Sequence, residues 1–113
     1  MSGFYGSVPL DCIEIVGKSN EILVDFDEEG KWKRASLWLA YGIFEEFDKH
    51  QAEWWESRNG GKHLRLVLEH DMPIITRVAW SIVLGGDVLH GVFSLARGYQ
   101  RLFRPSTSEK VVD

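Results

Sequence analysis

Histidine and carboxylate side chains fall at helical spacing in one place in this sequence, at Glu46, His50 and Glu53. On a helix of 3.6 residues per turn, positions i, i+4 and i+7 share a face. There a carboxylate can orient His50 as a general base, or the three groups can share a metal ion. The same spacing is ordinary on a solvated face of mixed charge, so the chemistry needs a fourth ligand or a pocket. A second group, His63, Asp87 and His90, meets at one end of a sheet if residues 74–96 are strands. It offers metal ligands or an acid–base pair, weighed against turn residues and surface histidines. His70 and Asp71 then lie at the far end, roughly 35 Å away at a rise of about 3.3 Å per residue. Both sets are sparse, and the expectation is a protein with no bound metal and no cofactor.

Other chemistries lack their residues. Gly85-Gly86 is followed by neither the spaced glycine nor the Lys-Ser/Thr pair that cradles phosphate. One cysteine excludes a thiolate zinc site, and Cys12, among apolar neighbours in an expected strand, reads as an inert buried thiol. The five tryptophans say more about surfaces, because Trp is costly to expose and enriched at interface hot spots. On a helix, Trp54 and Trp55 point about 100° apart, so one of them sits at the edge of any buried stripe. Gln51, Trp54, Trp55 and Arg58 are therefore the expected contact residues for a partner or a second copy.

These residues need elements to position them. Cys12 to Val16 and Glu21 to Phe26 alternate apolar and polar side chains around Gly17-Lys18-Ser19-Asn20, which predicts a β-hairpin. From Lys33 to Ser57, Leu37, Ala40, Tyr41, Phe44, Phe47, Gln51, Trp54 and Trp55 recur at steps of three and four, predicting one long helix ended by Asn59-Gly60-Gly61. Trp32, Arg34, Ser36 and Trp38 also alternate, so the part before Gly42 has a rival reading as a third strand. His63 to Glu69 is an expected half-buried strand with Leu64, Leu66 and Leu68 on one face. Ile74 to Leu84 and Val88 to Ala96 are read as strands from their β-branched density and the interior Gly91, joined by a hairpin loop at Gly85-Gly86-Asp87. The competing reading makes them two helices capped by Asp71 and Asp87, with a stripe of Val88, Val92, Leu95, Ala96, Tyr99 and Leu102. Gly98 to Arg104 is expected to turn helical before Pro105.

Composition bounds the whole. The 113 residues, 44% of them hydrophobic and 27% charged, fit one folded domain, 1–113, with a loose terminus over 1–9 and a mobile tail over 105–113. The net charge of −4 divides unevenly. Residues 1–56 hold 12 acids and 5 bases, net −7, and residues 57–113 hold 8 bases and 5 acids, net +3. The bases are scattered between apolar runs rather than gathered on one element, which argues against nucleic acid. Val78 to Ala96 is long enough to cross a bilayer but carries Asp87 near its centre, at a cost of roughly 2.5–3.5 kcal/mol, so it is read as core and no membrane partner is expected. A lone cysteine and an opening without a basic, apolar signal pattern point to the cytoplasm.

The fold these observations imply is α+β: a mainly antiparallel sheet of about five strands with the Lys33 to Ser57 helix packed across a face. The leading functional expectation is a non-catalytic binding or accessory protein that acts through protein contact or self-association. The alternative is a small-molecule binder or enzyme, with an aromatic-lined pocket between helix and sheet built from Trp38 and Trp80 and with His63, Asp87 or His90 at its mouth.

Overall fold

A computed structural model describes residues 11–58 and 60–106. The expected loose terminus over 1–9 lies outside them, as does the expected tail beyond Ser106. In chain order the elements are β1 (Cys12–Val16), β2 (Glu21–Phe26), α1 (Glu29–Ala40), a 3-10 turn (Glu45–Phe47), β3 (His50–Glu56), β4 (Lys62–Leu68), α2 (Ile74–Val83), α3 (Val88–Arg97) and β5 (Arg101–Pro105). The architecture is α+β with two antiparallel sheets: a ribbon of β1 with β5, and a three-stranded sheet in the order β2-β4-β3.

The strands at 12–16, 21–26 and 63–68 fall where alternation predicts them, but the expected hairpin between the first two does not form. Strand β1 pairs instead with β5, from Cys12 opposite Pro105 to Val16 opposite Arg101. Strand β2 pairs with β4, from Glu21 opposite Val67 to Phe26 opposite Lys62. The turn at 17–20 thus carries the chain from one sheet to the other.

The single long helix is also corrected. Helix α1 stops at Ala40, where Gly42 takes the left-handed region at φ 65°. The Ile43 amide donates to Trp38 O at 3.1 Å and the Gly42 amide to Leu39 O at 3.3 Å, which is the double closure of a Schellman motif. Beyond it Glu45–Phe47 makes one 3-10 turn and 50–56 extends as β3, edge strand to β4 with Trp54 opposite Leu64 and Trp55 opposite His63.

Residues 74–97 form the two helices of the competing reading, not strands. Asp87 caps α3 by accepting from the Leu89 and His90 amides, and Gly98 closes it in the left-handed region at φ 88°. Asp71 caps nothing: it accepts from the Ser19 hydroxyl at 2.8 Å, and Pro73 occupies the N-cap position of α2. Gly91, which counts against a helix by propensity, is what lets the two helices approach. A Cβ there would stand 3.1 Å from Val78 Cγ1 and 3.3 Å from Ile82 Cδ1. The propensity cost of a glycine inside a helix, about 1 kcal/mol relative to alanine, yields to that packing. The segment after Gly98, expected to be helical, is strand β5.

One cluster of buried side chains, Ile22, Val24, Phe26, Leu64, Leu66 and Leu68 among them, lies beneath α1 and receives Trp32, Trp38, Phe44, Trp54 and Trp80 at its margin. A smaller one joins Leu23, Trp55 and Leu102 between the three-stranded sheet and β5. Strand β2, covered on both faces, is buried along almost its whole length.

Candidate functional site

Two groups of residues stand out: a set of histidines and carboxylates packed against β5, and the outer surface of α2 and α3.

The first is built on the β5 backbone. One edge of β5 pairs with β1; side chains occupy carbonyls on the other. Trp55 Nε1 donates to Phe103 O at 3.1 Å, His63 Nδ1 lies 3.0 Å from the same oxygen, and His90 Nε2 lies 2.8 Å from Arg101 O. On its far side His63 Nε2 stands 3.2 Å from Asp25 Oδ1. Alternation explains the grouping, since Trp55, His63 and Asp25 are cross-strand neighbours on one face. Burial raises the Asp25 pKa, but the hydrogen bond from His63 and the charges of His63 and His90 outweigh it, and the net shift is downward. Asp27, two residues on, is shifted upward by burial and by the charges of Asp25, Asp87 and Glu28. His90 is held below its ordinary value chiefly by burial. Each nitrogen of His63 already faces an oxygen, as does Nε2 of His90, so this set binds β5 rather than offering a base to a substrate.

Asp87, His63 and His90, grouped from sequence on a strand geometry that the helices replace, are still drawn to one region. Asp87 serves there as the α3 cap, and its amide donates to Asp25 O at 2.8 Å. Asp25 has no clear signal in the sequence, because in an alternating strand a polar residue facing away from Ile22, Val24 and Phe26 reads as solvated. The other two pocket residues lie on the opposite face of the sheet. Trp38 meets Phe44 edge-on at 5.7 Å, and Trp80 meets Phe44 at 5.1 Å and Phe47 at 4.7 Å, so the wedge between α1 and α2 is occupied by rings.

The helix face of Glu46, His50 and Glu53 does not exist. Glu46 is exposed in the 3-10 turn. His50 turns its Nδ1 onto Phe47 O, and Glu53 accepts from Arg65 of β4 and from Arg104 of β5 at 2.8 Å. Among the described residues no three His, Cys, Asp or Glu side chains are grouped so as to hold a metal ion. Cys12 does lie in β1, where burial and then the Asp11 carboxylate raise its pKa and disfavour the thiolate.

The expected contact residues sit on β3 and the turn after it, not on a helix. Being neighbours on a strand, Trp54 and Trp55 point to opposite faces. Trp54 stacks on Phe26 with centroids 5.7 Å apart, half-buried; Trp55 is buried against β5. Gln51 is exposed opposite Val67, and Arg58 is exposed with its Nε 3.5 Å from Asp11.

The second group is larger. Helix α2 buries Arg77, Val78 and Ser81, and α3 buries Gly91 and Ser94. The inward positions of α3 are thus small, and its bulky apolar residues face out. Ile75, Val83, Val88, Leu89, Val92 and Leu95 are between 45% and 65% exposed. Covering one such half-exposed side chain contributes on the order of 1 kcal/mol. Wheel positions make the surface continuous: Ile82, which touches Gly91, lies between the α2 row of Ile75, Ala79 and Val83 and the α3 row of Val88, Val92 and Leu95. The two helices put no charged side chain into it, and Lys31 and Arg34 of α1 flank it at Gly85. Arg77 is turned inward, donating to Met72 O at 3.0 Å and Lys18 O at 3.1 Å, and Asp87 is spent on the cap. Along α2, Ile75, Thr76, Ala79, Trp80 and Val83 line a shallow groove of about 270 Å³. Its signal in the sequence is the stripe of the competing helical reading, together with a run from Val78 to Ala96 whose one charged residue is Asp87. Among the described residues no helix is long and apolar enough to cross a membrane.

No family model matches this chain, and no curated protein or solved structure is significantly similar to it.

Proposed function

We propose that this chain is a non-catalytic binding protein that works through protein contact, and that it docks by the outer face of α2 and α3. The observation that carries the reading is the inverted character of α3, with glycine and serine inward and valines and leucines outward. A contiguous apolar surface free of charge is what soluble proteins otherwise avoid, and it marks sites that another molecule covers. An interface on Gln51, Trp54, Trp55 and Arg58 is less supported than the helical face, because Trp55 is engaged with Phe103 and Trp54 with Phe26. The alternative, a small-molecule site, is less supported: the groove on α2 is shallow, and Thr76 is its one side chain with a hydroxyl, where ligand pockets bring several polar groups together.

A photo-crosslinking phenylalanine analogue at position 92, compared with one at exposed Glu29 on α1, tests the reading in the native host. Protein adducts are expected at 92 and lost when Leu95→Glu is added. Adduct yields at 92 no higher than at 29 refute it.

A further inference from the structure

The α2–α3 face has the properties of a surface that meets itself, and we infer that its occupant is a second copy of this chain, related by a two-fold axis. The inference rests on the proposed role of that face and adds the identity of the partner.

An isologous contact places one patch against its own image, so any charge in the patch is brought near its like. This face carries none between Val78 and Ala96 apart from the capping Asp87, whereas residues 1–56 carry a net charge of −7 from 12 acids and 5 bases. The outward side chains of the two helices can therefore face their own image without like charges meeting. A different protein partner is usually steered and selected by complementary charge, and the face offers no charge for that purpose. Interfaces between identical subunits are the more apolar class.

Size agrees. The outward apolar side chains of the two helices, most of them near half exposed, present on the order of 500 Å², a core for the roughly 800 Å² that each partner gives to an interface of standard size. Shape agrees as well, because a two-fold contact needs a projection and a recess in the same patch. The ridge of Val88, Val92 and Leu95 projects from α3, and across the Ile82 row the groove of about 270 Å³ recedes on α2. In the dimer the α3 ridge of each protomer enters the α2 groove of the other. A membrane surface fits less well: binding of an interfacial helix is strengthened by attraction to anionic lipid, and the chain is net negative.

Analytical ultracentrifugation of the full chain over a range of concentrations, with Val92→Glu, Leu95→Glu and the milder Val92→Ser, tests the proposal. The unaltered protein is expected to be dimeric at micromolar concentration. The glutamate variants should dimerise at least about a hundredfold more weakly and Val92→Ser by an intermediate factor, with unchanged far-ultraviolet dichroism. A dimer that persists in the glutamate variants means that the copies meet elsewhere, and a monomer at all concentrations overturns the second copy outright. Binding of bis-ANS to the monomer separates that failure from failure of the protein-contact reading. Dye binding lost in Leu95→Glu leaves the face open for a different protein; no dye binding means that the chain covers the face itself, and both readings fall. Sedimentation of the monomer with phosphatidylcholine vesicles would make the occupant a lipid surface and also overturn the proposal.

Discussion

Replacing Gln100 by alanine exposes the joint on which the two sheets depend. The side chain is fully buried, its Oε1 accepting from the Leu23 amide at 3.0 Å and its Nε2 donating to Leu23 O at 3.2 Å. A side-chain amide thereby does for β2 what another strand would do, and Gln100 O accepts from the Gly17 amide at 2.8 Å beside it. Gln100→Ala removes two hydrogen bonds and strands a buried donor and acceptor on Leu23, each costing about 1–3 kcal/mol. With the cavity left behind, the loss should reach about 3–5 kcal/mol out of a total of about 5–15. Thermal melts should fall by on the order of 10–20 °C. Gln100→Glu adds a signature that packing alone does not have. The carboxylate can accept from the Leu23 amide but faces Leu23 O without a proton, so burial should raise its folded-state pKa above the ordinary value of about 4.3. The folded state then binds the proton more tightly than the unfolded chain, and the deficit relative to the unaltered protein should shrink as pH falls through the raised value. Denaturant melts across pH measure this. A loss below about 1 kcal/mol in Gln100→Ala, or a Gln100→Glu deficit that ignores pH, refutes the assignment of Gln100 as the seal of the β2 edge.

Phe47, at 2% exposure among Phe44, Trp80 and the core, should cost about 3–5 kcal/mol when replaced by alanine, read from denaturant midpoints. Gly61→Ala should be strongly destabilising in the same assay, because a Cβ at that position would stand 2.3 Å from Phe26 O, a backbone atom. Acidification should destabilise the protein in two stages. His90, lowered from 6.5 by burial, refuses a proton that the unfolded chain accepts, so stability falls as pH drops below 6.5 towards the folded-state value; His90→Gln should flatten that part of a melting-temperature profile. Asp25, lowered from 3.8, contributes stability above that value, which is lost as pH falls further through its folded-state pKa; Asp25→Asn should remove this second decline.

Elements governed by period alone were legible in the sequence. Strand β4 alternates so cleanly that Leu64, Leu66 and Leu68 are legible as one buried face. Helix α1 was half legible: its apolar steps were visible, but Gly42 stops it, and the steps of three and four run on by coincidence into β3, where Trp54 and Trp55 serve two different faces. Residues 74–97 were decided by capping and close approach, which outweigh β-branched content when Asp87, Gly91 and Gly98 stand where a helix pair needs them. The partner of β1 was not legible, since the chain returns to it only after 85 residues, from Val16 to Arg101, and no local pattern reports such a pairing. His63 and His90 were found as a pair, but their partners, backbone oxygens of β5, have no sequence signature.

The late position of β5 imposes an order on how the molecule is made. Until Gln100 and the strand after it have emerged from the ribosome, β1 has no partner and the Leu23 edge of β2 stays unsealed. In the interval after β4 and the two helices have emerged and before β5 does, the nascent chain therefore holds a three-stranded sheet with an open border, next to two helices whose valines and leucines face water. Such an intermediate displays the unpaired strand edge and apolar surface on which chaperones act and from which aggregation begins. A stop codon before residue 100 would leave that border permanently open, so truncated products of this chain should be cleared as misfolded rather than persist as smaller domains.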